Sequence, residues 1–268
     1  MNFRRVWALA LTVLASALTL ALVPPDVARA ETIKVLTAGA FKQVLQAVIP
    51  PFEASGHKVS WDNDTAGALV KRIEGGESFD LLIASPAALQ ALAKSGKVSG
   101  VGTALARVGV GVAVREGAPK PDIGTVEDFK KAMLAARAIA YIDPASGGSS
   151  GIYLSSLFDR LGIADAVKPK AVLVKGGYAA ERVVSGEADI AVHQISELLP
   201  VKGVTLVGPL PAEIQSYTVY SAGIAAGSTQ AAAAQALIAL LRSPDGAAAV
   251  RSKGMEPVDQ AAPAQTKN

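Results

Sequence analysis

The sequence contains no cysteine, and histidine occurs only twice among its 268 residues. Without cysteine the chain can form no disulfide framework, no thiolate zinc site, no cysteine nucleophile and no lipid anchor on cysteine. The two histidines, His57 and His193, are 136 positions apart, and no pair of histidines has the spacing of a metal-binding motif. We therefore expect neither a metal nor a cofactor.

The chain also has little excess of charge of one sign. Lysine and arginine total 26 against 23 acidic residues. Residues 1–30 hold three of these basic residues and one acid, so the remainder carries 23 against 22. Such a balance lacks the basic footprint of a nucleic-acid-binding protein. Half of the residues are apolar, which excludes a disordered chain, and the length leaves room for two domains.

The N-terminus has the pattern of an export signal. Arg4 and Arg5 precede an apolar stretch over 6–23, and an A-x-A cleavage pattern ends at Ala30. We expect cleavage after Ala30, which leaves a mature protein, residues 31–268, outside the cytoplasm. An uncleaved membrane anchor is the alternative, because about 18 apolar residues can just span a bilayer.

Strand and helix patterns alternate along the rest of the chain. Apolar residues recur at helical spacing over 41–54, and a short strand at 80–84 is apolar on both faces, as expected of a strand covered by helices. This alternation predicts βαβ units, a mainly parallel sheet and the α/β fold class. The other predicted strands are 32–37, 57–62, 108–114, 138–142, 170–174, 188–193, 204–208 and 217–225, and the other predicted helices are 67–75, 86–95, 125–136, 150–161, 178–185, 229–241 and 244–252.

A turn-rich link at 116–121 divides this pattern into two series. The strand at 108–114 runs into the link, so we interpret it as leaving one domain for another. The strand at 217–225 begins the last part of the chain and could return to the first domain. Two domains in tandem are the alternative that the pattern leaves open.

One segment formally matches the G-x-S-x-G pattern of serine hydrolases. It covers residues 147–151, GGSSG, between a predicted strand and a predicted helix. However, Ser149 does not directly follow its strand, and a triad would need His193 with Asp189, four positions apart on one short strand. A secreted serine hydrolase using Ser149 is therefore an alternative that ranks behind a binding function.

Four predicted helices begin with small, glycine-bearing turns. Backbone N–H groups at a helix start are unpaired and lie at the positive end of the helix dipole, so such turns are natural anion sites. Ordinary helix capping is the alternative explanation for each turn. Because ligands of α/β sheets bind outside the carboxyl ends of the strands, we expect the turns to share one anion. The turns are residues 37–40, 64–67, 146–151 and 176–177.

Five segments together resemble the periplasmic molybdate-binding proteins of ABC importers. They are IKVLTAGAF at 33–41, NDTAGALVKRIE at 63–74, FDLLIAS at 79–85, SGEADIAV at 185–192 and GMEPV at 254–258. The resemblance spans 31–258 and implies a type II periplasmic-binding-protein fold, with two doubly wound α/β lobes joined by a two-strand hinge. It places the signal peptide at 1–30, the first lobe at 31–115 plus 217–268, and the second lobe at 116–216.

The resemblance implies a periplasmic receptor that closes its lobes around a small anion and delivers it to an ABC permease in the inner membrane. Such a receptor makes and breaks no covalent bond, so we expect that the protein is not an enzyme. We also expect it to be a monomer. The implied ligand is an oxyanion such as molybdate or tungstate. A small organic carboxylate bound by the same receptor fold is the alternative.

The ligand-binding residues follow from the resemblance and from the four turns. The family presents serine hydroxyls where this chain has Ala40 and Ala66, and the position of a family tyrosine falls on Gln194 or His193. Imidazole and amide donors suit a planar carboxylate at least as well as a tetrahedral oxyanion. Further candidate donors are Arg182, Gln215 and Tyr217. The predicted ligand-binding residues are Ala38, Gly39, Ala40, Phe41, Thr65, Ala66, Gly67, Ser149, Ser150, Gly151, Gly177, Tyr178, His193 and Gln194.

Overall fold

The computed structural model describes residues 32–258, and within that range ten strands and ten α-helices alternate. The strands are β1 (Thr32–Ala38), β2 (Lys58–Asp64), β3 (Leu81–Ala84), β4 (Val98–Arg115), β5 (Ile139–Ile142), β6 (Ala171–Val174), β7 (Ile190–Gln194), β8 (Val204–Pro209), β9 (Tyr217–Ala225) and β10 (Glu256–Pro257). The α-helices are α1 (Lys42–Ala54), α2 (Ala66–Glu74), α3 (Pro86–Lys94), α4 (Val126–Ala135), α5 (Ser149–Arg160), α6 (Ala164–Val167), α7 (Glu181–Val184), α8 (Ile195–Leu198), α9 (Ala231–Leu241) and α10 (Pro244–Ser252). The predicted signal peptide lies outside the described residues.

The strands follow one another in the order β2-β1-β3-β9-β4-β7-β5-β6. β1 pairs in parallel with β2 and β3, and β5 pairs in parallel with β6 and β7. β9 runs antiparallel between β3 and β4, and both β8 and β10 add to β4. The parallel pairs have helical connections between their strands, as βαβ units require.

The long strand β4 belongs to two halves of the sheet. Its first part, from Val98 to Gly109, pairs with β9, and its last part, from Val110 to Arg115, pairs with β7 and β8. We call β1–β3 and β9, with α1–α3, α9 and α10, the first lobe, and β5–β8, with α4–α7, the second lobe. β4 and the chain entering β9 form the two-strand hinge, so the predicted fold class is confirmed. The residue limits given above for the two lobes stay a prediction.

Each lobe buries apolar side chains on both faces of its part of the sheet. In the first lobe, Phe41 and Leu237 belong to one cluster and Leu69 to another. In the second lobe, Phe129 and Val183 belong to two separate clusters. This coverage explains why every residue of β3 and of β5 is buried.

Among the helices that differ from the sequence prediction, two short ones, α7 and α8, adjoin the site described below. The predicted helix 178–185 contracts to α7, because Gly177 has a φ of +81° and the N–H groups of Glu181 and Arg182 bond three residues back instead of four. Helix α8 has no counterpart among the predicted elements. It is four residues long and directly follows β7, so it is too short for apolar periodicity to reveal it.

Candidate functional site

A cavity lies where the two lobes meet, with about 40 Å³ of space for the centres of water-sized molecules. One water needs roughly 10–15 Å³ by this measure, so the site is small. The lining residues come from strand ends and helix starts of both lobes. They are Ala38, Gly39, Ala40, Asn63, Asp64, Thr65, Ala66, Ile142, Gly148, Ser149, Ser150, Gly176, Gly177, His193, Gln194, Glu197 and Tyr220.

Three helix starts face this cavity. A 3-10 turn, Gly39–Phe41, leads into α1, while Thr65 and Gly148 immediately precede α2 and α5. Thr65 caps its own helix, since its Oγ1 accepts a hydrogen bond from the N–H of Ala68 at 3.2 Å. No side chain caps the 3-10 turn or α5. Their N–H groups, at the positive ends of the helices, therefore suit an anionic ligand.

The lobes touch directly beside the cavity. Gly67 N donates to Gly147 O at 3.2 Å, and Thr65 Oγ1 donates to Ser146 O at 2.5 Å. A Cβ atom at Gly67 would lie 2.8 Å from Gly147 Cα, closer than real Cβ atoms come, and Gly147 has a φ of +77°. This contact therefore requires glycine on both lobes.

A second contact joins α1 to the loop before α7. Gln43 Nε2 donates to Tyr178 Oη at 2.8 Å, and Lys42 Nζ lies 5.2 Å from the centroid of the Tyr178 ring. A cation over an aromatic face contributes about 0.5–1 kcal/mol at a partly exposed site. Because polar contacts bridge the two lobes at both places, the lobes are in a closed arrangement.

A buried pair of titratable side chains forms part of the cavity wall. His193 Nε2 lies 3.2 Å from Glu197 Oε2, and the two side chains are 2% and 9% exposed. Burial lowers the pKa of His193 to about 3. Burial raises the pKa of Glu197 to about 8, although the charge of Lys42 acts in the opposite direction. At pH 7 the proton therefore resides on the carboxyl group, and the pair is a neutral hydrogen bond instead of an ion pair.

Tyr220 connects the first lobe to two elements of the second lobe. Its Oη donates to Gln194 Oε1 at 2.8 Å and is also hydrogen-bonded to Ser149. Burial raises the pKa of Tyr220 well above its usual value, and the nearby Glu197 carboxylate raises it further. The hydroxyl therefore stays protonated and holds the end of β7 and the start of α5 in place.

Two polar atoms of the cavity wall have no hydrogen-bond partner among the described residues. They are His193 Nδ1 and Gln194 Nε2, on side chains of residues that are 1% and 2% exposed. Leaving such an atom unpaired costs about 1–3 kcal/mol, and buried polar groups in native proteins are almost always paired. A ligand in the cavity would provide the missing partners.

Among the described residues no lysine or arginine lines this cavity, and the acidic residues in its wall are Asp64 and Glu197. Residues 32–258 also hold no group of three or more histidine or acidic side chains placed to bind a metal ion. An anion here would be held by backbone N–H groups, hydroxyls, an amide and an imidazole. In the same range, no helix has the length and apolarity needed to cross a membrane.

Most of the residues predicted from the sequence to bind ligand line this cavity. Their role in binding stays a prediction, but the structure brings ten of the fourteen together. These ten are Ala38, Gly39, Ala40, Thr65, Ala66, Ser149, Ser150, Gly177, His193 and Gln194.

The other four lie behind or beside the lining. Phe41 is fully buried in the first-lobe core, and Gly67 contacts the opposite lobe through its backbone. Gly151 packs against β5, where a Cβ atom would lie 2.1 Å from Ile142 O. Tyr178 holds α1 through its hydroxyl. All four shape the site through packing or lobe contact.

The three further candidate donors do not reach the cavity. Arg182 forms an ion pair with an acidic neighbour at 3.0 Å on the surface. Gln215 is bonded to both backbone groups of Val110 at the hinge, and the ring of Tyr217 lies 4.6 Å from the guanidinium carbon of Arg107.

The triad of the alternative hydrolase is not assembled. Asp189 accepts hydrogen bonds from the backbone N–H and the guanidinium of Arg137, at 2.7 and 2.9 Å, just before β7 begins. His193, near the other end of β7, faces Glu197 instead. Ser149 is hydrogen-bonded to Tyr220.

Four lining residues lie outside every segment that the sequence predicts to bind ligand. Glu197 follows His193 by four positions, and that spacing is the only signal for it. Tyr220 comes from a distant strand, so no local pattern could identify it. The four are Asn63, Ile142, Glu197 and Tyr220, whereas the lining residues Asp64, Gly148 and Gly176 belong to the predicted anion-binding turns.

A two-lobed α/β fold with an anion-accepting cavity at its hinge is typical of an extracellular solute-binding protein. The family model for bacterial extracellular solute-binding proteins matches residues 33–256, and the chain belongs to this family. A more specific similarity comes from one curated relative, the aconitate isomerase of a Pseudomonas species. It is 34% identical over 235 residues, which cover 85% of this chain and 88% of that protein.

Solved structures of solute-binding proteins have the same fold. The periplasmic molybdate-binding protein of Azotobacter vinelandii superposes with a TM-score of 0.69 at 20% identity, covering 85% of this chain and all of that one. The sulfate-binding protein SubI of Mycobacterium tuberculosis gives 0.70 at 22% identity, covering 86% of this chain and 88% of that one. At such identities the likeness establishes the fold alone.

The expectation that the chain is not an enzyme is wrong. The relative that overturns it is named for an isomerase activity and aligns along most of both chains. The error has a physical reason. The G-x-S-x-G match at 147–151 assembles no triad, whereas the titratable pair in the cavity consists of ordinary residue types whose pKa values are shifted by burial.

Proposed function

We propose that this protein is an isomerase of aconitate or of a closely similar unsaturated tricarboxylate, which it binds between its lobes. The observation that carries the proposal is the 34% identity to an aconitate isomerase over 85% of this chain. It favours the small organic carboxylate that the sequence analysis kept as the alternative ligand. The cavity supports this choice because its unpaired imidazole and amide atoms match planar carboxylate groups.

The anion is held mainly by neutral donors. The uncapped starts of the 3-10 turn before α1 and of α5 offer backbone N–H groups, and Gln194 Nε2 offers an amide. A hydrogen bond to a charged group contributes about 1.5–3 kcal/mol. Three such bonds thus provide enough binding energy for a small anion without an arginine or lysine in the wall. The ligand contacts in this proposal are the ten predicted residues that line the cavity.

The chemistry requires only the movement of a proton. Aconitate is a propene that carries three carboxylates, and its geometric isomers interconvert when a methylene proton is removed and a proton returns to the other end of the allylic system. This step needs no oxidant and no cofactor. It needs a site that excludes bulk water, places one acid–base group beside the carbon chain and keeps the three carboxylates fixed.

Conversion of the two isomers tests the proposal directly. The mature protein, residues 31–268, is incubated separately with cis- and trans-aconitate, and the vinyl and methylene signals are followed by ¹H NMR. We expect both incubations to reach the same mixture of isomers, whereas heat-inactivated protein leaves each isomer unchanged. Failure of the folded protein to convert either isomer would refute the isomerase function.

A second candidate function is supported by the family itself. The family model describes extracellular solute-binding proteins, and the neighbours in structure include molybdate- and sulfate-binding proteins. In this reading a periplasmic monomer also delivers its anion, a molybdate-type oxyanion or a carboxylate, to an ABC permease. A thermal-shift screen with molybdate, tungstate, sulfate and both aconitates separates the ligands, because a ligand at 100 times its dissociation constant adds about 2.7 kcal/mol of stability. A shift with molybdate or tungstate alone would favour the oxyanion.

A further inference from the structure

Helix α8 joins the cores of the two lobes. Ile195 at its start packs against the core cluster of the first lobe, and Leu198 at its end belongs to a cluster of the second lobe. Glu197 lies between these anchors, so its carboxyl group is held at the hinge of the closed protein. One oxygen, Oε1, faces the first lobe so closely that a Cβ atom at Gly39 would lie 2.6 Å from it.

The polar surroundings of Glu197 are sparse. Within residues 32–258 its one side-chain partner is His193 Nε2, 3.2 Å from Oε2. The other titratable groups that face it are Lys42 from α1 and Tyr220 from β9, and Asp64 from β2 lines the same cavity. A carboxyl group with a single neutral partner in the wall of a ligand cavity retains an oxygen for a bound molecule. In the part of the chain that the structure describes, no pairing with a charged side chain accounts for its burial.

We propose that Glu197 is the catalytic group that removes and returns the proton during isomerisation, and that His193 is the residue that positions it. The assignment rests on the proposed isomerase function. The ionised carboxylate takes a proton from the methylene carbon, and the electron pair of that C–H bond is delocalised over the allylic system and its carboxylates. The carboxylic acid then gives a proton to the former vinyl carbon. The double bond has moved by one position, and the carboxylate is regenerated.

The proposed role agrees with the acid–base properties of the side chain. Burial raises the pKa of Glu197 to about 8, so both of its forms are populated near neutral pH, as a group that accepts and then donates a proton requires. His193 contributes through its contact with Oε2, because a neutral imidazole fixes the carboxyl group without holding it permanently ionised. The remaining atom of the imidazole, Nδ1, has no partner among the described residues.

The test compares Glu197→Gln with wild-type protein and with Glu116→Gln, which makes the same chemical change on an exposed turn. Each protein is assayed with trans-aconitate in H₂O and in ²H₂O, and its binding of trans-aconitate is measured by calorimetry. For Glu197→Gln we expect kcat to fall by about 10²–10⁴-fold, deuterium incorporation to stop, and affinity to stay within about threefold. Glu116→Gln should match the wild type.

The outcomes separate this proposal from the function on which it rests. If wild-type protein does not isomerise aconitate, the proposed function fails. If wild-type protein is active and Glu197→Gln keeps its kcat and its deuterium exchange, only the assignment of Glu197 fails. Should Glu197→Gln not fold, Glu197→Asp replaces it, and an unchanged kcat for that variant would overturn the assignment, because the carboxyl group is then withdrawn by one methylene.

The role of His193 is tested by a pH profile. Wild-type kcat/KM should rise with pH as Glu197 ionises, with a midpoint near its pKa of about 8. His193→Gln should move this midpoint and lower kcat less than Glu197→Gln does. A midpoint identical to that of the wild type would refute a positioning role for His193, because a merely structural side chain would not change the ionisation of Glu197.

Discussion

Replacing Gly67 with alanine adds one methyl group where the two lobes touch. The new Cβ atom would lie 2.8 Å from Gly147 Cα and 3.3 Å from Ser146 O. Both neighbours are backbone atoms, so they cannot rotate away as a side chain would. The lobes would have to separate at this point, while the rest of each lobe keeps its structure.

The cost can be worked from the contacts that would be lost. Gly67 N to Gly147 O and Thr65 Oγ1 to Ser146 O are the two hydrogen bonds that cross this edge, and each contributes a net of about 0.5–1.5 kcal/mol. The closed state should therefore lose about 1–3 kcal/mol, which weakens ligand binding roughly 5- to 150-fold. In contrast, Gly67 lies inside α2, where alanine stabilises a helix by up to about 1 kcal/mol.

The opposite signs of these two effects make the assay specific. Calorimetry with the anion identified in the thermal-shift screen should show weaker binding for Gly67→Ala, while its melting temperature without ligand equals or exceeds that of the wild type. Gly227→Ala is the matched control, because a Cβ atom at that exposed turn meets nothing within 4 Å. Unchanged affinity in Gly67→Ala, with an unchanged small-angle scattering profile, would refute the argument that closure needs this contact.

Two further predictions concern the second lobe contact and the buried pair. Tyr178→Phe keeps the ring beneath Lys42 but removes the hydroxyl that accepts from Gln43, so calorimetry should show binding weaker by about 0.5–1.5 kcal/mol; affinity equal to wild type would contradict this. The buried pair also makes the free energy of unfolding depend on pH. The stabilising contribution of His193 is present above pH 6.5, its pKa in the unfolded chain, and is lost as the pH falls toward about 3. The stabilising contribution of Glu197 is present below pH 4.5, its pKa in the unfolded chain, and is lost as the pH rises toward about 8. Urea unfolding should therefore show stability declining above pH 6.5 at up to about 1.4 kcal/mol per pH unit from Glu197, and Glu197→Gln should remove that slope.

Much of the fold could be predicted because its signals are local. The helix predicted at 41–54 appears as Lys42–Ala54, preceded by a 3-10 turn, and the strand predicted at 80–84 appears as Leu81–Ala84. The helix starts were equally visible, because glycine and small residues mark them, and parallel strands bring such starts to the same edge of a sheet. This is why most of the predicted ligand-binding residues line one cavity.

The remainder of the site depends on tertiary structure. Glu197 lies on a four-residue helix without periodicity, and only burial between two cores gives its carboxyl group an unusual pKa. Tyr220 reaches the cavity because β9 enters the sheet beside β3 and β4. The expectation of a non-enzyme failed for a related reason, since a pair of ordinary residue types whose pKa values are shifted by burial leaves no motif in the sequence.

The position of β9 also determines how the protein can fold. β9 lies between β3 and β4 in the sheet. Leu82 pairs with Gly223, and the whole second lobe lies between these two residues in the sequence. The sheet of the first lobe therefore stays incomplete until residues 217–225 arrive, whereas β5 pairs with β6 and β7, and β7 and β8 pair with the end of β4. Pairings between strands so distant in sequence form slowly, and until then β3 has an open edge available to other chains. Because Tyr220 is on β9, the step that completes the first lobe also completes the cavity.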